Sequence, residues 1–254
     1  MERWSGRVAL VTGASSGIGA ELATQLVKSG LQVVGIARRV ENIEKLAQNL
    51  QNEPGNLHPV KADITCEEEV KAAFAWVQSN LGGVDILVNC AGADSINTLI
   101  DGPLESWKLI FDVNVLARSN VTKEALASMK EKGVDDGLII HINGILGHSI
   151  PDINFLSIYM YSAAEHAVTV LTEGLRRELL KINSKIRISS VSPGLVKTDF
   201  FSKAGNSDEL TDLMYQTNPY LETKDVVDAI VYILGTPPHV QIHELIIKPT
   251  GEKY

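Results

Sequence analysis

At 254 residues, 44% apolar and 21% charged, the chain can fill one large α/β domain, and nothing in it demands a second. A formal net charge of −8 argues against nucleic acid or an anionic membrane surface as the principal partner. Only two cysteines occur, Cys66 and Cys90, and the second lies in an apolar run. A disulfide framework is therefore not expected, and a reducing, cytoplasmic setting is the default. Residues 1–7 carry charge, and their apolar run is too short for a signal peptide or a membrane span.

In chain order, Val8, Ala9, Leu10 and Val11 form a bounded apolar run of strand length. Gly13, Gly17 and Gly19 follow in the spacing G-x-x-x-G-x-G, and an amphipathic helix opens near Ser16. The glycines serve a tight turn out of the strand, close approach of backbone to a ligand, and close helix–sheet packing. The free N–H groups and positive dipole end of the helix point into that turn, where a pyrophosphate would sit. A tight strand-to-helix connection with no ligand is the alternative reading.

Gln32–Ala37 reads as a second buried strand and ends in Arg38 and Arg39. An NAD-binding fold usually keeps an acidic side chain here, about twenty residues beyond the glycine turn, for the ribose 2′-hydroxyl. Two guanidinium groups instead suit a 2′-phosphate through bidentate, charge-assisted bonds, which favours NADP(H) over NAD(H). Two solvated arginines opening the next helix are the plainer alternative.

A helix is expected over 41–50, a Pro/Gly turn over 52–56, and a third strand over 57–62 that ends at Asp63 and Ile64. Thr65 is read as the cap of a helix over Glu67–Leu81, which Gly82 and Gly83 close. A fourth strand covers 85–89, a long helix about 104–129, and a fifth strand 138–143. A helix over 162–180, a sixth strand over 186–191, a helix over 226–234 and a last strand over 241–248 complete the chain. Strands alternating with helices of this length mean an α/β protein, a single domain over 1–254 with a doubly wound parallel sheet and helices on both faces.

Six separately placed motifs then point the same way: TGASSGIG at 12–19, Asp63, NCAG at 89–92, Asn114, YSAAE at 161–165 and SPGLVKT at 192–198. Together they make the chain resemble a short-chain dehydrogenase/reductase with a Rossmann fold, from about Gly6 to Gly251. The stretches MERWSGRVALVTGASSGIG, VVGIARR and QIHELIIKPTGE look most like an insect subgroup that includes farnesol dehydrogenases and is related to vertebrate enzymes of keto-steroids.

The resemblance implies that Gly13, Ser15, Gly17, Ile18 and Gly19 hold the pyrophosphate side of NADP(H), and that Arg38 and Arg39 take the 2′-phosphate. Asp63 and Ile64 would lie near the adenine, and Asn89, Ala91 and Gly92 would line the ribose. Pro193, Gly194, Val196 and Thr198 would fix the nicotinamide. It further implies a hydrophobic small-molecule substrate (alcohol, aldehyde or ketone), a homodimer or homotetramer, no membrane span and no metal.

At the catalytic positions the sequence departs from the family, whose members use a Ser, a Tyr, a Lys four residues after the Tyr, and an Asn that holds a water relay. Tyr161 and Asn114 match. Gly144 stands where the Ser is expected and Glu165 where the Lys is expected, with no Lys between Met160 and Lys181. On a helix Glu165 would share a face with Tyr161, and an ionised carboxylate there disfavours the phenolate. Efficient hydride transfer is thus in doubt, and a degenerate member that binds nucleotide without turnover is the competing reading. Among substitutes, His148 is a candidate proton donor and His166 a weaker one, while Ser149 or Ser157 could supply a hydroxyl. Tyr159, on the opposite side of the element from Tyr161, is expected to be a pocket or packing residue, and His141 a satisfied core histidine. Segments 148–158 and 199–219 surround the expected mouth, the second as a lid. Their apolar side chains (Phe155, Leu156, Ile158, Phe200, Phe201, Leu213, Met214, Tyr215) suit an apolar substrate or ordinary lid packing equally.

Overall fold

The computed structural model describes residues 1–150 and 158–253. Among the described residues seven strands, β1 (Val8–Thr12), β2 (Gln32–Ala37), β3 (Asn56–Lys61), β4 (Ile86–Asn89), β5 (Leu138–Ile142), β6 (Arg187–Pro193) and β7 (Glu244–Ile247), form one sheet. Every pairing is parallel and the order is β3-β2-β1-β4-β5-β6-β7. The chain therefore winds outward first to one side of β1 and then to the other. This reversal opens a crevice beyond the carboxyl ends of β1 and β4, where such sheets take their ligands. Thr12 there sits in register with Ile36 on one side and Asn89 on the other.

Side-chain alternation along the strands sends each one into two separate cores. Ala9 and Val11 of β1 face α1 (Gly17–Lys28) and α9 (Thr223–Gly235), where Leu22, Leu26, Val226 and Ile230 are wholly buried. Leu10 faces the opposite layer with Val70, Phe74 and Val77 of α3 (Glu67–Leu81) and Val121 and Met129 of α5 (Arg118–Lys132). Strands buried on both faces need continuous apolar runs, which is why Val8–Thr12 and Leu138–Ile142 read as they do. A buried carboxylate pins the amino ends of these strands. Asp85 accepts hydrogen bonds from Val8 N–H (2.8 Å), Arg7 (3.2 Å) and Lys132 (2.6 Å).

Around this frame lie α2 (Val40–Asn49), α4 (Leu104–Phe111), α6 (Tyr159–Lys181) and the short helices α7 (Phe200–Lys203) and α8 (Asp208–Thr217). Both short helices fall within the segment 199–219. Three local expectations need correcting. The helix expected over 104–129 is interrupted by a π-helical turn at Asp112–Ala117 before α5 begins. Asn114 lies within that turn and is buried with Ala117. The α3 cap is Cys66, not Thr65, because the Thr65 hydroxyl donates to Asp63 Oδ1 (2.7 Å). The last strand spans only Glu244–Ile247, where its pairing with β6 ends. Among the described residues no helix is long and apolar enough to cross a membrane.

Candidate functional site

The crevice at the carboxyl ends of the strands is a cavity of about 730 Å³. Gly13 leaves β1 with φ +71°, and a Cβ on it would stand 2.9 Å from the Ala91 backbone. A Cβ on Gly19 would meet the Gly13 carbonyl at 2.4 Å. Only glycine allows the β1 turn, the 90–92 loop and the start of α1 to close this tightly. Ser16 precedes α1 with an extended backbone, so the first N–H groups of the helix open into the cavity. Across the mouth, Lys203 of the lid donates to the Ser16 hydroxyl (2.8 Å).

Most of the residues expected at a nucleotide line this cavity. Gly13, Ser15, Gly17 and Ile18 form one end with Arg38, Arg39, Asp63 and Ile64; Ala91, Gly92, Pro193, Gly194, Val196 and Thr198 continue it. Two residues sit elsewhere. Gly19 is buried beneath the turn, and Asn89 lies in the sheet below the cavity floor, its Nδ2 donating to Thr122 (3.0 Å). Asn89 thus supports the floor from below. Gly194 is required by a contact the sequence did not suggest: its Cβ would fall 2.3 Å from Glu252 Oε1, which accepts a hydrogen bond from Leu195 N–H (2.9 Å).

The reactive end is built by α6, the turn after β5 and the π-helical turn. Tyr161 and Glu165 stand one turn apart on α6, both facing the cavity. Gly144 faces them. A Cβ built on it would lie 3.6 Å from Glu165 Oε2 and 4.0 Å from the Tyr161 hydroxyl oxygen. These three positions therefore converge at one end of the cavity. Asn114, wholly buried, accepts from Ala93 N–H and donates to Ala93 C=O, both at 2.8 Å, and so holds the loop beside the site.

Burial and the neighbouring Glu165 and Asp94 push the Tyr161 hydroxyl well above its ordinary range. Burial raises the Glu165 carboxyl to about 7, with Asp94 adding to the rise and Arg118 and the Tyr161 hydroxyl opposing it. Glu165 is 1% exposed, and its Oε2 has no hydrogen-bond partner among the described residues. Sequence reading missed Asp94 and Arg118. Arg118, on α5, is 4% exposed and lines the cavity, its guanidinium donating to the Ile142 carbonyl (2.8 Å). Helical spacing from Val121, Ala125 and Met129 puts it on the buried face of α5, so the pattern held the signal and only its charge hid it. Asp94, beside the same cavity, is raised by burial to about 6.

The substitute groups are engaged elsewhere. His148 is 3.1 Å from Ser192 Oγ and 3.5 Å from Glu244, away from the cavity lining. His166 Nδ1 lies 2.8 Å from the Ser162 carbonyl. His141 is a core residue against Asn89, and burial followed by Arg118 lowers it to about 3, so it stays neutral. Tyr159 is 45% exposed and does not line the pocket, because the first turn of α6 sends it outward while Tyr161 points in. Ser149 is exposed, and its hydroxyl is 3.5 Å from the Ile145 carbonyl. Ser157, Phe155 and Leu156 fall outside the described residues.

Of the apolar set, Ile158, Phe200, Phe201 and Met214 line the cavity, and the Phe200 ring packs on Tyr161 with centroids 5.8 Å apart. Leu213 is 53% exposed, while the Tyr215 hydroxyl accepts from Thr198 N–H (3.2 Å) and fastens α8 to the strand-end segment.

This fold and this crevice define a nucleotide-binding α/β protein. The family model for short chain dehydrogenases matches residues 7–209, and the chain belongs to that family. It is 47% identical over 255 residues to the Mus musculus protein named dehydrogenase/reductase SDR family member 11, covering 99% of this chain and 97% of that one. With a farnesol dehydrogenase of Aedes aegypti it shares 43% identity over 256 residues, covering 100% of both. Among solved structures, a short chain dehydrogenase from Burkholderia cenocepacia J2315 in complex with NADP superimposes with a TM-score of 0.81. That match has 26% identity and covers 97% of this chain and 98% of the other.

Proposed function

We propose that this protein is an NADP(H)-dependent oxidoreductase acting on a hydrophobic aldehyde, ketone or alcohol, of the size and character of a terpenoid or steroid. The observation that carries the reading is one cavity with a glycine cradle and two arginines at one end, and Tyr161 beneath apolar lid residues at the other. Gly13, Gly17 and the α1 N-terminus would hold the pyrophosphate, Arg38 and Arg39 the 2′-phosphate, with Asp63 and Ile64 near the adenine. Ala91 and Gly92 would line the ribose, and Pro193, Gly194, Val196 and Thr198 would fix the nicotinamide. When bound, NADPH supplies the hydride.

The Tyr161 hydroxyl is placed to hydrogen-bond the substrate oxygen, and Asn114 to keep the adjoining loop in position. Because burial and Glu165 hold Tyr161 protonated, the site favours carbonyl reduction over alcohol oxidation, which needs a phenolate base. Without a serine hydroxyl at Gly144 and a lysine at position 165, the familiar route loses groups worth about 10²–10³-fold and 10²–10⁴-fold. Those two residues favour a second reading, a member that binds NADP(H) and an apolar ligand without turnover. Exposed Leu104, Leu109, Leu116 and Val170 on and around α4, α5 and α6 suit association as a homodimer or homotetramer, measurable by light scattering. The free thiols Cys66 and Cys90 suit a reducing, cytoplasmic compartment.

The test pairs calorimetric titration of NADPH with NADPH oxidation against a panel of apolar carbonyls, for this protein and its G144S/E165K variant. Turnover by the unmodified protein supports the oxidoreductase. Turnover by the double variant alone, with both binding NADPH, supports the binding protein. Failure of both to bind NADPH sinks both readings.

A further inference from the structure

Resting on the oxidoreductase reading, we propose that Glu165 in its acid form donates the proton to the substrate carbonyl oxygen, from the space that Gly144 leaves open. The geometry comes first. Glu165 Oε2 lies 3.6 Å from where a side chain on Gly144 would begin, and the Tyr161 hydroxyl oxygen 4.0 Å from the same point. A carbonyl oxygen entering that space meets both. Oε2 is buried and has no hydrogen-bond partner among the described residues. A buried carboxyl oxygen without a partner is costly, and a ligand oxygen sharing a proton with it removes that cost.

The groups facing Glu165 suit a proton that leaves and returns. Asp94, from the loop after β4, opposes ionisation; Arg118, from α5, and the Tyr161 hydroxyl, from the same helix, favour it. The acid form is therefore populated near neutrality, and the carboxylate left behind is stabilised by Arg118 and by a hydrogen bond from Tyr161. Tyr161, held well above its ordinary range, is the weaker acid of the pair. Its single O–H donates to the substrate oxygen before the transfer and turns to the Glu165 carboxylate after it.

The step balances as follows. The carbonyl carbon gains a hydride from the reduced nicotinamide, and the C=O π pair moves to oxygen and takes the proton from Glu165. An alcohol, NADP⁺ and the Glu165 carboxylate result, and solvent reprotonates the carboxylate before the next turnover.

The experiment compares the parent, E165Q and Y161F for carbonyl reduction across pH, for NADPH affinity by calorimetry, and by infrared titration of the nucleotide-free proteins. Expected are a loss in E165Q of about 10²–10⁴-fold in kcat with NADPH affinity nearly unchanged, and a smaller loss in Y161F. The parent's kcat should fall as pH rises through about 7, and E165Q should lack that limb. A carboxylic-acid C=O stretch titrating near 7 should be present in the nucleotide-free parent and Y161F and lost from E165Q, which keeps only the Asp94 band that titrates lower, near 6. That readout is independent of turnover and nucleotide.

Y161F abolishing turnover while E165Q keeps it would assign the proton to Tyr161 and overturn the proposal. So would E165Q that turns over normally but binds NADPH tenfold more weakly, which would make Glu165 a ribose ligand. Either result leaves the oxidoreductase reading standing. A parent that binds NADPH and reduces no carbonyl overturns both.

Discussion

Placing a serine at Gly144 should stabilise the protein, and the size of the effect can be worked from its surroundings. The backbone there is extended (φ −153°, ψ 162°), a conformation any residue adopts. The new Cβ would meet Glu165 Oε2, Leu146 N and the Tyr161 hydroxyl oxygen at 3.6, 3.9 and 4.0 Å, ordinary contacts that require no movement. Replacing glycine at a compatible site removes unfolded-state entropy worth about 0.4–1 kcal/mol. The hydroxyl also gives Oε2 a donor, and relieving an unpartnered buried acceptor is worth about 1–3 kcal/mol. The sum for G144S is about 1–3 kcal/mol after the serine's own desolvation, or roughly 3–8 °C in Tm for a domain of this size. Calorimetric melts of the nucleotide-free protein would measure it at pH 8, where Glu165 is mostly ionised, and at pH 5, where it carries its own proton and the gain shrinks towards the entropy share. G144A is the control, since it receives the entropy share without the donor. If G144S melts no higher than G144A at pH 8, the placement of Oε2 against an open space beside Gly144 is wrong.

Three further outcomes are expected. Glu165 is raised from 4.5 to about 7 in the fold, so the native state binds the extra proton between those values. Stability should therefore fall as pH rises from about 5 to 8, on the order of 3 kcal/mol from this buried group, and E165Q should remove most of that slope in denaturant melts. R38A/R39A should weaken NADPH binding by tenfold or more, at about 1.5–3 kcal/mol per lost charged hydrogen bond, and leave NADH nearly unchanged by calorimetry. Equal loss for both nucleotides would deny the 2′-phosphate role. G19A drives a Cβ to 2.4 Å from the Gly13 carbonyl, so it should cost roughly 1–3 kcal/mol of stability and weaken NADPH binding more than tenfold.

How much of this was legible in the chain depended on whether the signal was local. The apolar runs of β1 and β5, the glycine turn and the twin arginines after β2 are contiguous, and each appears where its residues predicted it. The facing of Tyr161 and Glu165 follows from helical spacing alone, one turn apart on one strip of α6. The π-helical turn at Asp112–Ala117 was not legible, because one inserted residue leaves the pattern of apolar positions almost unchanged while rotating everything after it. Arg118 shares the helical face of Val121, Ala125 and Met129, and was missed because a charged side chain there reads as solvated. Tyr159 was misplaced because the entry angle of α6 comes from packing, which no propensity contains.

The sequence by itself determined the class of fold, the glycine turn and twin arginines at one end of the cavity, and the residues Gly144 and Glu165 at the other, since each is written in residues near one another. Tertiary structure alone decided what those last two residues do together. Gly144 and Glu165 come from the turn after β5 and the face of α6, and only the packed sheet brings Oε2 beside the vacant side-chain position. Burial there removes water from a carboxyl, a phenol and a guanidinium at once. The protonation of the carboxyl and the phenol is set by that shared low-dielectric space, which does not exist until the strands and helices close around it.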